Sequence, residues 1–165
     1  MEQPLVSVVL SGMSNMQQVI ENIQSADNSG INILNESELK TIHDLKDAYE
    51  SYNLVPCTSC GYCLPCPNGV TIPSIMNVVN EIGYWGEKNR HRFEMMYNRM
   101  AKTLEDLQRR LDSGDEAEGA ASLCIQCSEC LDKCPQNINI PNVMEIINGI
   151  FTKDLDISEV KKLRI

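Results

Sequence analysis

Cys57-Thr58-Ser59-Cys60-Gly61-Tyr62-Cys63-Leu64-Pro65-Cys66-Pro67 and Cys124-Ile125-Gln126-Cys127-Ser128-Glu129-Cys130-Leu131-Asp132-Lys133-Cys134-Pro135 contain every cysteine of the chain, eight in all. Each run sets three thiols at Cys-x-x-Cys-x-x-Cys spacing and closes on Cys-Pro. A loop turning once every three residues can wrap three corners of a four-iron cube, each iron taking one thiolate. The fourth corner lies beyond its reach.

Where two such runs share a chain, the cysteine that ends one run ligates the cluster of the other. That logic assigns Cys57, Cys60, Cys63 and Cys134 to cluster 1, and Cys124, Cys127, Cys130 and Cys66 to cluster 2. The cofactors it predicts are two 4Fe-4S clusters. The first run has two residues, not three, between Cys63 and Cys66. This leaves open a three-iron cluster at one site, or Cys66 bonding within its own loop. Zinc takes cysteine pairs in fours, so a third thiol at the same spacing would be surplus. Disulfides suit exported chains, and no basic segment precedes the apolar run Leu5–Leu10 as a secretory signal requires.

The runs head an internal repeat. Cys66-Pro67-Asn68-Gly69-Val70-Thr71-Ile72-Pro73 overlays Cys134-Pro135-Gln136-Asn137-Ile138-Asn139-Ile140-Pro141. Met76 then falls on Met144, Asn80 on Asn148 and Ile82 on Ile150. The unit is a cysteine loop, an Ile-Pro turn and a short apolar helix, since proline suits a first helical turn. Val70, Ile72, Ile138 and Ile140 are expected to give the clusters an apolar cover. Phe93, Met96, Met100, Leu104, Leu107 and Leu111 recur by threes and fours, which predicts one long helix over residues 87–112. Residues 117–123 read as a short helix into the second loop.

Ahead of the cysteines, Leu5–Leu10 reads as a buried strand and residues 16–23 as an amphipathic helix. Asn35 and Glu38 form a capping pair opening a second helix. Residues 152–165 read as a loose polar tail. The net charge of −9 disfavours nucleic acid and anionic membrane. No stretch reaches the roughly 18 apolar residues of a membrane helix. A cytoplasmic location is expected.

The two runs and their helical spacer resemble the α-helical ferredoxin module. More narrowly, Cys57–Pro67 and Cys124–Pro141 resemble the ferredoxin domain that follows the barrel in a group of aldo/keto reductase-like oxidoreductases. Val6–Met16 is similar to the last strand of that barrel and the turn after it, and residues 35–39 to the start of its closing helix. The resemblance implies a mainly α fold: an α-helical ferredoxin with two 4Fe-4S clusters over 56–151, preceded over 1–55 by a strand–helix remnant of a (β/α)8 barrel. Glu21 and Asn22 match a pair near the adenine end of NADP. Gly12 and Gln18, however, stand where the family carries basic residues, and the barrel's catalytic residues have no counterpart here. NADP is therefore not expected to bind this chain alone, nor is the chain expected to be catalytic by itself. It reads as the C-terminal piece of such an enzyme, a truncated relative, or a subunit whose barrel lies elsewhere.

The implied function is single-electron transfer through two 4Fe-4S clusters, with a redox partner protein or an aldo/keto reductase barrel as partner. The alternatives are a ferredoxin-type subunit of a larger redox complex and a structural iron–sulfur domain without redox cycling. Lys88–Arg92 forms a basic patch that reads as a solvated helix face or a docking site. His43 and His91 pair with no nucleophile. Tyr84-Trp85 reads as packing.

Overall fold

The computed structural model describes residues 4–153 and 155–161, and they are mainly helical. The chain divides into two compact units, one ending at Asp47 and one beginning at Ala48. No strand forms among the described residues; two isolated parallel bridges join Val70 and Ala101 to Gly119.

In the first unit, α1 (Met16–Asp27) and the start of α2 (Glu36–Tyr52) are set by local signals. Asn15 Oδ1 accepts from Gln18 N at 3.0 Å, and Gln18 Oε1 accepts from Ser14 N at 2.8 Å. The capping pair read at α2 is present. Glu38 N donates to Asn35 Oδ1 (3.1 Å), and Asn35 N donates to Glu38 Oε2 (2.9 Å). Neither helix buries a side chain. The strand read at Leu5–Leu10 is not formed. A lone strand leaves its backbone groups unpaired, and here Leu5 stands 96% exposed.

The second unit carries the core. After the cysteine runs come α3 (Ile72–Trp85) and α6 (Ile140–Thr152), each with proline in its first turn, as the repeat requires. Their buried faces coincide in register: Ile72, Ile75, Met76, Val79 and Ile82 on α3, and Ile140, Val143, Met144, Ile147 and Ile150 on α6. Burial of each such side chain contributes about 2 kcal/mol, so these ten residues supply a large share of the core.

The single helix expected over 87–112 is divided. A 3-10 turn at Glu87–Asn89 leads into α4 (Arg90–Asn98), and α5 (Leu104–Asp112) starts afresh. Thr103 caps α5 by accepting from Asp106 N at 3.1 Å. The break has a tertiary cause. Ala101 N donates to Glu118 O (2.8 Å) and Ala120 N to Ala101 O (2.9 Å), so residues 118–120 compete for the backbone a continuous helix would use. On its other side Gly119 O accepts from Thr71 N at 3.0 Å. No side chain fits there: a Cβ on Gly119 would lie 2.1 Å from Gly69 O. The helix expected at 117–123 shrinks to a 3-10 turn at Ala121–Leu123. Within residues 152–165, read as a loose tail, α7 (Ser158–Lys161) packs on α6 and Val160 is buried.

Candidate metal centre

The two cysteine loops follow one backbone path. The third residue of each run, Ser59 (φ 55°) and Gln126 (φ 56°), lies in the left-handed region. So does the fifth, Gly61 (φ 77°) and Ser128 (φ 66°). Alternating left-handed residues curl a loop and turn successive N–H groups to its concave side, which favours an anionic guest. Three of these four are not glycine, and such conformations cost about 1 kcal/mol or more each. Strain repeated at matching positions marks the curl as part of the site. The turns also match: Leu64 N donates to Gly61 O (2.9 Å) and Leu131 N to Ser128 O (3.0 Å). After each Cys-Pro, Gly69 N donates to Cys66 O (3.0 Å) and Asn137 N to Cys134 O (3.1 Å).

These loops line two cavities. The thiols of one are Cys57, Cys60, Cys63 and Cys134. The other is lined by five, Cys66, Cys124, Cys127 and Cys130 together with Cys63. In each, three cysteines of one run meet the terminal cysteine of the other, and in the second Cys63 joins them. All eight thiols are free; Cys60 and Cys127 are exposed and the rest half-buried. The apolar cover read at Val70, Ile72, Ile138 and Ile140 is in place, all four buried and lining one cavity or both. Among the described residues, no three His, Cys, Asp or Glu side chains converge on a single ion.

At the sulfurs themselves the electrostatics agree with metal ions, held in a cluster whose four thiolates leave the whole anionic. Burial first, then repulsion from Cys134 and Cys60, pushes the Cys57 thiol up, although Ser59 N donates to its sulfur at 3.4 Å. Cys63 is raised by burial and by Cys57, Cys60 and Cys134. Cys130 is pushed up to about 11 by burial and by Cys124, Cys127 and Cys63. Thiols that hold one another protonated when empty are those that metal ions ionise on binding. Eight soft sulfur donors in two fourfold sets fit iron–sulfur clusters.

Buried polar contacts hold the entries to both loops, and the sequence reading had given these residues no such role. Asn80, 7% exposed on α3, accepts from Val55 N (2.8 Å) and donates to Val55 O (2.9 Å), clamping the segment that enters the first loop. Its repeat partner Asn148 receives the Tyr97 hydroxyl at 3.5 Å. Tyr97 is fully buried and stacks on Phe151 with ring centroids 4.2 Å apart. Lys102 Nζ lies 3.5 Å over the same ring and donates to Tyr97 O at 2.6 Å. Burial lowers the Lys102 ammonium to about 8. Burial also pushes the Tyr97 phenol up to about 12, against backbone N–H groups of Ala121 and Ser122. Ser122 Oγ donates to Lys102 O at 3.1 Å, so this group braces the entry to Cys124. The one readable signal was an Asn matched to an Asn on otherwise apolar repeat faces.

The other sequence candidates lie elsewhere. Glu21 and Asn22 sit exposed on α1, where Gln17 Nε2 donates to Glu21 Oε1 (2.9 Å) and Asn22 Nδ2 to Ser11 Oγ (3.0 Å). His91 is exposed near Glu94, and Arg90 of the basic run pairs with Glu94 at 2.9 Å. Trp85 is exposed and donates to Glu81, whereas Tyr84 stacks on Tyr52. No helix among the described residues is long and apolar enough to cross a membrane.

Compared with known proteins, residues 56–138, just over half of the chain, match the model of a family described as a 4Fe-4S dicluster domain. Neither the curated proteins nor the solved structures contain a match.

Proposed function

We propose that this chain, which belongs to the 4Fe-4S dicluster domain family, is the electron-transfer module of an aldo/keto reductase-like oxidoreductase. Two 4Fe-4S clusters are its cofactors, and iron–sulfur electron transfer is the function the family implies. Cys57, Cys60, Cys63 and Cys134 ligate one cluster. Cys124, Cys127, Cys130 and Cys66 ligate the other. When bound there, a cluster would supply one-electron redox chemistry. The chain's own residues hold the irons, exclude water with isoleucine and valine, and direct backbone N–H groups at sulfur, which tunes the potential.

The observation that carries the ligand assignment is the crossed lining of the two cavities, in which Cys134 joins the first run's thiols and Cys66 the second's. Crossing makes each cluster a staple between the halves of the repeat, so removing metal should unfold the second unit. The wider context rests on the resemblance of Val6–Met16 and residues 35–39 to the end of a barrel. It fits the unburied apolar faces of α1 and α2, which a barrel would cover. The proposed partner is such a barrel, or a separate redox protein.

Cys134→Ser, purified anaerobically and treated with iodoacetamide, tests the crossing. Peptide mapping should show alkylation of Cys57, Cys60 and Cys63, with Cys124, Cys127 and Cys130 protected. The opposite pattern would mean that each run ligates its own cluster.

A further inference from the structure

We infer that Cys63 is the residue through which the two clusters are electronically coupled. This deepens the ligand assignment proposed above and rests on it. Among the described residues, Cys63 is the one thiol that lines both cavities. Its repeat counterpart, Cys130, lines the second cavity alone. The isoleucines opening the two repeat helices, Ile72 and Ile140, line both cavities as well and are each 2% exposed. The residues common to the two sites are therefore two buried isoleucines and one cysteine.

The asymmetry has a covalent cause. Two residues separate Cys63 from Cys66, whereas three separate Cys130 from Cys134. The shorter link ties a ligand of one cluster to a ligand of the other by fewer bonds and holds Cys63 against the second cavity. Electronic coupling decays steeply with distance and is stronger through a polarisable sulfur than across packed methyl groups. With both clusters bound, Cys63 would offer the path for one electron from the reduced site to the oxidised one, with no bond made or broken and no proton required. The departure of the first run from three-residue spacing is thus the device that couples the sites.

The test uses whole protein labelled with β-13C cysteine, loaded with both clusters and reduced stepwise with dithionite. Paramagnetic NMR then follows the Cβ resonances of the cysteines. We expect one resonance to respond at both reduction steps and the others at one step each. Resonances that sort into two sets of four, with no shared member, overturn the inference. A glycine inserted between Leu64 and Pro65 should reduce the dual response at least twofold, and one inserted between Asp132 and Lys133 should leave it unchanged. Equal effects of the two insertions also overturn it. If the first insertion prevents cluster assembly, the spectra of the unaltered protein decide alone. A chain that binds no iron or sulfide would instead refute the assignment on which the inference rests.

Discussion

Asn80→Ala should loosen the first cluster far more than its place on α3, away from any sulfur, suggests. The Asn80 amide satisfies both the N–H and the C=O of Val55, at 2.8 and 2.9 Å. Alanine leaves both backbone groups buried and unpaired, since Val55 itself is 1% exposed. Each orphaned group costs about 1–3 kcal/mol, against a gain of roughly 0.5 kcal/mol in helix propensity. The net is about 3 kcal/mol, concentrated on the segment entering Cys57. Opening of that segment should become about a hundredfold more frequent. The assay is anaerobic release of iron to a chelator, followed by loss of visible absorbance. We expect biphasic release, with half the iron leaving about a hundred times faster than in the parent protein. Asn148→Ala is the matched control. Its 3.5 Å contact is marginal, and the change should be under about threefold. A rate for Asn80→Ala within twofold of the parent, or equal acceleration of both phases, would refute the reasoning.

Three other outcomes follow from the same structure. Gly119→Ala forces a Cβ to 2.1 Å from Gly69 O and should cost about 3 kcal/mol or more, read as a fall in the guanidinium midpoint of the cluster-loaded protein. Ser128→Gly relieves a left-handed residue (φ 66°) and should slow iron release by about threefold or more. Burial lowers Lys102 to about 8, so from pH 8 upward the unfolded chain holds that proton longer than the folded one, and stability rises with pH. Tyr97, pushed up to about 12, acts in the opposite sense once the pH exceeds the ordinary phenol range. Hydrogen-exchange protection of α4 should therefore rise between about pH 8 and 10 in the parent and stay level in Lys102→Met, and equal profiles would dismiss the role of this half-buried lysine.

What could be read from the chain was what repeats or acts locally. The cysteine spacing, the Ile-Pro turns and the Asn35–Glu38 cap each operate within a few residues, and each is present. The division of residues 87–112 was not readable from periodicity, because the apolar stripe keeps its phase across Arg99–Thr103. Its cause is the 118–120 segment hydrogen-bonded to Ala101, a partner far along the chain. Thr103 with Asp106 three residues on was the local clue, since that pattern opens helices as Asn35 with Glu38 does. Leu5–Leu10 has strand composition, but β-propensity describes fit to a neighbouring surface, and among the described residues no strand pairs with it. The tail's Val160 is one apolar residue among charges, too sparse for any periodicity, yet it is 1% exposed. At the site, the grouping of the cysteines that line the two cavities was evident from spacing. Nothing in the local sequence singles out Tyr97 and Lys102, which meet Asn148, Phe151 and Ser122 only through the fold.

The central claim is that thiols from both ends of the repeat jointly hold two iron cubes. Chemical quantitation of iron and acid-labile sulfide in anaerobically loaded protein tests it most directly. We predict about eight of each per chain, falling by about half in Cys134→Ser. A colourless chain carrying zinc, or about four irons that survive the loss of Cys134 unchanged, would contradict it.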